Sequence, residues 1–117
     1  MSLTGDRANI AAALSLVDGV TGYPKRPSVV SPGDGWPFVA SLDRGPASVF
    51  EVTWTVTVVL PNDEQDAADW LDSHAEELAQ ALEYSHLSVG FVDRIEPVQV
   101  ATSAGAMPAI EITMRGE

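Results

Sequence analysis

The chain of 117 residues contains no cysteine and no long apolar run. Without cysteine it can form neither a disulfide nor a thiolate metal site, and a cysteine nucleophile is excluded. No stretch approaches the roughly 18 apolar residues of a membrane-spanning helix. The first ten residues include Asp6 and Asn9, where a signal peptide would have an apolar core. We therefore expect a single domain, residues 1–117, that folds in a cytoplasm and does not enter a membrane.

Basic residues are scarce and unevenly placed. Six bases oppose 17 acids, which gives a formal net charge of −11. No Lys or Arg lies between Arg44 and Arg94, although ten acids fall in that interval. A surface of this sign repels phosphate, so we expect no specific binding of DNA or RNA.

The chain also lacks the residue groupings of common catalytic and metal sites. The isolated His74 and His86 do not supply the three or four convergent ligands of zinc, and we interpret both as ordinary surface or partly buried histidines. The i, i+4 pair Asp72 and Glu76 would hold a divalent cation only weakly, and we interpret it instead as part of a solvated acidic face. Residues 32–35 (PGDG) place an acid where a phosphate would sit. We predict that the protein is not an enzyme and has no cofactor or metal.

What the chain does contain is one long alternating run, Val49–Leu60. Large apolar side chains occupy every second position and mostly threonine occupies the positions between them. This period of two predicts a central β-strand with one apolar face, built from residue types that favour strands. The apolar positions are Phe50, Val52, Trp54, Val56, Val58 and Leu60.

The segments on either side predict two helices and three further strands. Apolar residues at helical spacing indicate helices over 4–17 and Glu64–Tyr84. Alternation indicates strands over Trp36–Leu42, His86–Ala101 and Pro108–Met114, the second with a bulge near Asp93-Arg94. The resulting fold is α+β: a four-stranded, mainly antiparallel sheet with two helices packed on one face, in the order α-β-β-α-β-β.

The strand Trp36–Leu42 carries two further expectations. Its alternation places four side chains on one face, and Pro37 favours an edge position or a strand start because it cannot donate to a ladder. Trp36 belongs either to the core or to an interface, where Trp is enriched. The four side chains expected on one face are Trp36, Phe38, Ala40 and Leu42.

Residues 20–35 join the first helix to this strand and contain the only adjacent basic pair, Lys25-Arg26. Two interpretations are open: an irregular connection, or an exposed arm that contacts a neighbouring subunit. The second predicted helix is the other unusual surface, because its acids have no basic partner four residues later. Candidate interface residues are Asp34, Trp36, Arg44, Asp69, Asp72, Glu76, Glu77 and Arg94.

Taken together, several motifs resemble one protein family over roughly residues 3–115. They are SLTGDRANIAAALSLVDGVTGYPKRP, SPGDGWPFVASLDRG, FEVTWTVTVVLP, the AADWLD of the acidic helix, GFVDRIEPVQV and AGAMPAIEITMRGE. These motifs are similar to those of the tail terminator proteins of long-tailed, siphovirus-type phages of actinobacteria. They mark a relationship and carry no catalytic signature, so no residue role is transferred.

The resemblance implies an α+β subunit of a hexameric ring in the virion tail or neck, assembled in the host cytoplasm. Such a ring caps the tail tube, ends its polymerisation and provides the surface for head–tail joining. The implied partners are other copies of the chain, the major tail tube protein and head–tail connector proteins. DNA passes through the lumen without specific binding, and an acidic lining over Asp63–Glu83 would keep the duplex from sticking.

Two other functions fit the same sequence. A head–tail connector, head-closure or other neck or minor tail protein would share the fold and the charge, and a connector would form a twelvefold ring. A small acidic protein-binding module unrelated to virions would be a monomer or a dimer.

Overall fold

The computed structural model describes residues 3–44, 50–83, 91–103 and 105–115. The strands form one sheet in the order β1-β2-β3-β5-β4, in which β1 runs parallel to β2 and every other pair is antiparallel. In chain order the elements are α1 (Leu3–Leu14), β1 (Thr21–Gly22), β2 (Asp34–Arg44), β3 (Phe50–Val59), α2 (Glu64–Glu83), β4 (Phe91–Thr102) and β5 (Gly105–Arg115).

The α+β class is confirmed, but the prediction of a four-stranded, mainly antiparallel sheet is wrong. A short strand after α1 adds to the edge of β2 and makes the sheet five-stranded and mixed. The backbone nitrogen of Thr21 donates to Gly33 O (2.9 Å), and that of Tyr23 donates to Gly35 O (2.8 Å). A strand of two residues is too short to leave a periodic signal in the sequence.

Gly22 permits β1 to lie directly against α1. A Cβ atom at this position would collide with the backbone carbonyl oxygen of Ala11. The backbone nitrogen of Gly22 also donates to Ser15 Oγ (2.9 Å), just beyond the end of α1. The close approach of helix and strand therefore depends on a residue without a side chain.

Both helices pack against one face of the sheet, called here the helix face. Ile10 and Leu14 of α1, together with Leu78 and Leu82 of α2, are at most 1% exposed. They enclose one apolar cluster with the inward side chains of the two central strands, β3 and β5. Those side chains are Trp54, Val56, Val58, Ile110, Ile112 and Met114.

The pairing of β2 with β3 forms the predicted hairpin, but its register shifts after Val39. Ala40 is therefore an extra residue, and an extra residue reverses the alternation of the side chains that follow. As a result Trp36 lies on the opposite face of the sheet from Leu42. The prediction that Trp36, Phe38, Ala40 and Leu42 share a face is corrected accordingly.

The other face of the sheet, called the open face, has a smaller core at one end. Trp36, Val59 and Met107 are all under 9% exposed there. Tyr23 and Val30 pack against them. The segment between β1 and β2 is thus anchored to this face of the sheet at Tyr23 and Val30, although most of its side chains are exposed.

The hairpin of β4 and β5 confirms the bulge predicted near Asp93-Arg94, because the register shifts between Val92 and Arg94. Each of the two outermost long strands contains a proline, Pro37 in β2 and Pro97 in β4. Because β1 pairs only with the first two residues of β2, most of the outer edge of β2 has no neighbouring strand among the described residues. The expectation that Pro37 marks an edge agrees with this position.

Candidate protein-interaction surfaces

The first candidate surface is the outer side of α2, called here the acidic face. Asp63 begins the helix: its Oδ1 accepts hydrogen bonds from the backbone nitrogens of Gln65 (2.8 Å) and Asp66 (3.3 Å), which makes it the N-cap. No Lys or Arg lies within Glu64–Glu83, so the helix supplies no counter-charge of its own. The predicted candidates on this face are all exposed: Asp69, Asp72, Glu76 and Glu77.

His74 lies on α2 beside the acidic face and is engaged with Trp70. The two rings stack with centroids 4.1 Å apart and an angle of 8° between their planes. His74 Nδ1 is 2.8 Å from the backbone oxygen of Trp70. Since a carbonyl oxygen can only accept, Nδ1 carries the proton and donates. His74 is therefore a partly buried, hydrogen-bonded residue, as expected; His86 lies outside the described residues.

Asp34 stabilises the turn that begins β2. Its Oδ2 accepts a hydrogen bond from the backbone nitrogen of Ser31 (2.9 Å), and its own backbone nitrogen donates to Ser31 O (3.0 Å). The turn includes Gly33 at φ +92°, a conformation that favours glycine. Asp34 is only 8% exposed, so its carboxylate serves the turn and offers little surface to a partner.

Trp36 belongs to the core of the open face. Its side chain is 5% exposed. The guanidinium of Arg26 stands over its ring, 5.5 Å from the centroid, and also donates a hydrogen bond to the backbone oxygen of Ala101. Of the two interpretations of Trp36, the structure supports the core. Arg26 of the basic pair is thus held against the chain's own sheet, and Lys25 is exposed.

Next to Trp36 lies a cavity of about 470 Å³, called here the basic cleft. Half of the six bases of the chain line it. Arg7 enters from α1 at the edge of β2, where its Nη1 donates to Pro37 O (3.5 Å) and its guanidinium lies 5.3 Å from the ring centroid of Trp54. The lining residues used below are Arg7, Lys25, Arg26, Trp36, Phe38, Thr57 and Glu111.

The bases of the cleft differ from Arg94 in their pairing. Arg94 is 3.6 Å from a carboxylate oxygen of Glu96, and Arg115 is 3.5 Å from one of Asp93. Within the described part of the chain, no ion pair involves a base of the basic cleft. The described lining of the cleft contains these three bases and one acid, Glu111, so it keeps a net positive charge.

A third surface lies on the β2–β3 hairpin and is called here the hairpin patch. Leu42 pairs with Val52 and Arg44 pairs with Phe50, so all four side chains lie on one side of the hairpin. Leu42 is 45% exposed and Phe50 is 44% exposed. The guanidinium of Arg44 stands 5.5 Å from the centroid of the Phe50 ring. The patch thus combines apolar surface with one base that has no ion pair among the described residues.

A groove of about 870 Å³ separates the first turns of α2 from the β4–β5 hairpin. Its walls are mostly apolar, with Ala67 and Leu71 on the helix side and Pro97 and Pro108 on the sheet side. Glu64 is its one charged lining residue. The groove offers shape and apolar surface, and it brings no pair of titratable side chains together.

The structure separates the eight predicted candidates. Four form the acidic face, Arg44 joins the hairpin patch, Arg94 is paired on β4, and Asp34 and Trp36 are buried. The basic cleft was missed, because Arg7 is far in sequence from Lys25-Arg26. The signal in the sequence is the adjacent basic pair, for which the sequence left two interpretations open: an irregular connection, or an exposed arm towards a neighbouring subunit.

No protein-family model matches the sequence, and no curated protein matches it. Among the described residues, no group of three or more His, Asp or Glu side chains could hold a metal ion. None of the described helices is long and apolar enough to cross a bilayer.

Proposed function

We propose that this chain is a structural subunit of a phage tail, of the terminator type. In this proposal, copies form a ring that caps the tail tube, stops its polymerisation and presents the surface on which the head is joined. The sequence resemblance over roughly residues 3–115 motivates the proposal. The virion is then the location of the protein, and the tube protein and connector proteins are its partners.

The observation that carries the proposal is the hairpin patch. Exposed apolar side chains that cluster beside an arginine are typical of protein interfaces. The patch lies at the end of β2 and the start of β3, on the same face as the buried Trp54, but Leu42 and Phe50 are exposed there. A hairpin with an exposed apolar side is suited to contact the last ring of a tube. We assign the patch to that contact.

The acidic face supports the second half of the proposal. A ring through which DNA passes requires a lining that does not bind phosphate, and carboxylates without counter-charge repel the duplex. In this proposal the carboxylates of the acidic face that remain uncovered in the ring line the lumen or a docking surface. If neutralising Asp69, Asp72, Glu76 and Glu77 together leaves both head–tail joining and DNA passage unchanged, this assignment is wrong.

The experiment that tests the proposal measures the solution mass by light scattering and then the capping of tubes. We expect a species of about six times 12.4 kDa. It should become more abundant as ionic strength rises to about 0.15 M, because salt screens the repulsion between subunits of charge −11. Added to tubes polymerised from the major tail protein of the same genome, the chain should bind the ends and stop elongation.

Other outcomes separate the alternatives. A twelvefold mass without tube capping would favour a head–tail connector. If the chain is a monomer in solution but caps tube ends, the proposal stands, because the ring then assembles on the tube end as its template. A monomer or dimer that ignores tubes would refute it and favour the acidic binding module.

A further inference from the structure

The basic cleft and the acidic face are complementary, yet they lie on opposite faces of the sheet. α2 packs on the helix face, whereas the floor of the cleft consists of Trp36, Phe38 and Thr57 on the open face. The two surfaces therefore cannot neutralise each other within one chain. A protein surface that neutralises the charges of either one must therefore belong to another molecule.

We propose that the basic cleft of one subunit binds the acidic face of α2 of a second copy of this chain. Two different patches meet in such a contact, so it is heterologous: one subunit retains a free acidic face and the other retains a free basic cleft. Repeated contacts of this type close into a ring or continue as a filament. The inference rests on the proposed function for closure into a ring, whereas the contact itself is tested separately.

The dimensions of the two surfaces fit this contact. Asp69, Asp72 and Glu76 follow one side of α2 at spacings of three and four residues, over about 10 Å of helix. A cleft of about 470 Å³ is large enough for side chains and too small for a helix, so the helix lies across its mouth. The carboxylates then reach Arg7 and Arg26, whose planar guanidinium groups suit paired hydrogen bonds to carboxylates.

The apolar floor of the cleft strengthens such ion pairs. Phe38 is 40% exposed and would be covered by the incoming helix. Charges at the edge of an apolar, covered surface attract more strongly than charges in water. Lys25 is exposed at the mouth, where it attracts the helix and speeds the encounter.

The contact predicts a specific dependence on salt. At very low ionic strength, the net charge of −11 makes two subunits repel each other. At about 0.15 M the Debye length is about 8 Å, which screens this repulsion but leaves ion pairs in contact largely intact. At about 1 M the contact pairs are weakened as well. Association should therefore pass through a maximum at intermediate salt.

Single charge reversals test the contact by sedimentation velocity at 0.15 M salt. Lys25→Glu removes no hydrogen bond seen among the described residues and should weaken self-association about tenfold. Arg115→Glu changes the net charge equally at the end of β5, outside both surfaces and outside the hairpin patch, and serves as the control. Glu76→Lys should also weaken association about tenfold, because a lysine on the acidic face then meets the bases of the cleft. Glu51→Lys is its control.

The decisive arm mixes Lys25→Glu with Glu76→Lys in equal amounts. Every junction in an alternating assembly then joins opposite charges, so association should recover to the wild-type level. Failure of the mixture to recover, or equal effects of target and control variants, overturns the inference. A wild-type chain that stays monomeric up to about 1 mM at every salt concentration also overturns it. If Lys25→Glu leaves association unchanged but abolishes binding to a DNA duplex, the cleft binds phosphate and the inference fails.

The failure of this inference and that of the proposed function are distinguishable. Reversed variants that still form rings and cap tubes would refute the contact and leave the terminator proposal standing. If the mixed variants recover association but the wild-type chain never caps a tube, the proposed contact stands and the terminator proposal is refuted.

Discussion

The hairpin patch makes the sharpest prediction, because the chain contains a matched control for it. Leu42→Ser removes an apolar side chain from the patch, and Phe50→Ser removes its aromatic ring. Leu16→Ser makes the same substitution as Leu42→Ser at a residue that is 78% exposed on another part of the molecule. We expect the two patch variants to cap tubes poorly and the Leu16 variant to cap them normally.

The expected magnitude follows from the exposed fractions. Full burial of a Leu or Phe side chain is worth roughly 1.5–3 kcal/mol. Leu42 and Phe50 are 45% and 44% exposed, so covering the remaining surface contributes about 1 kcal/mol each. The double variant should therefore bind tube ends roughly thirtyfold more weakly than the wild type. The half of each side chain already buried gives a similar loss of fold stability, which a domain stable by about 5–15 kcal/mol tolerates.

The assay counts elongating tubes against protein concentration and is paired with urea unfolding of each variant. The unfolding curves establish that the variants are folded under the capping conditions. Capping by the double variant at the wild-type concentration would refute the assignment of the hairpin patch. Equal losses in the Leu16 variant would show that general apolar surface, and not this patch, governs capping.

Three further predictions concern the fold. Leu14→Ala should lower the free energy of unfolding by about 2–5 kcal/mol, because Leu14 is fully buried. The control Leu16→Ala should change it by less than about 0.5 kcal/mol, because Leu16 is exposed. If urea unfolding shows equal losses for the two variants, the packing of α1 described above is wrong. Gly22→Ala should cost about 1–3 kcal/mol, because its Cβ meets the backbone of Ala11; unchanged thermal unfolding would disprove that close approach. Asp63→Ala should cost about 1 kcal/mol through loss of the N-cap of α2, and Asp63→Ser should recover most of it in the same measurement.

The strongest local patterns in the sequence predicted most of the architecture. The alternation of β3 and the helical spacing of α2 each involve many residues, and so long a pattern seldom arises by chance. Both elements lie where they were expected. The bulge near Arg94 was also visible, because the apolar residues of β4 change phase there. In patterns of this kind the apolar residues recur on the side of the element that is buried, so the buried side can be inferred directly from the sequence.

Three features were not predicted, and two of them have causes that are not local. The strand β1 exists because Gly22 fits beneath α1 and its backbone pairs with β2, and neither contact has a signature within two residues. The bulge at Ala40 has one local sign, the apolar Val39 beside Phe38, which interrupts the alternation and packs against the core of the helix face. The basic cleft forms because the fold brings Arg7 close to Lys25-Arg26. These residues are far apart in the sequence, and no motif links them.

The prolines of the two outer long strands have a consequence for a protein that is held at high local concentration. A strand with an open edge can recruit a further strand through its backbone, whatever the side chains are, and such growth has no natural end. Pro37 and Pro97 each remove one amide donor from those edges, Pro37 in β2 and Pro97 in β4. Crowded copies of this chain are thereby discouraged from joining edge to edge. Their association then depends on contacts between side chains. Such contacts are specific to one partner surface, and association ends when that surface is occupied.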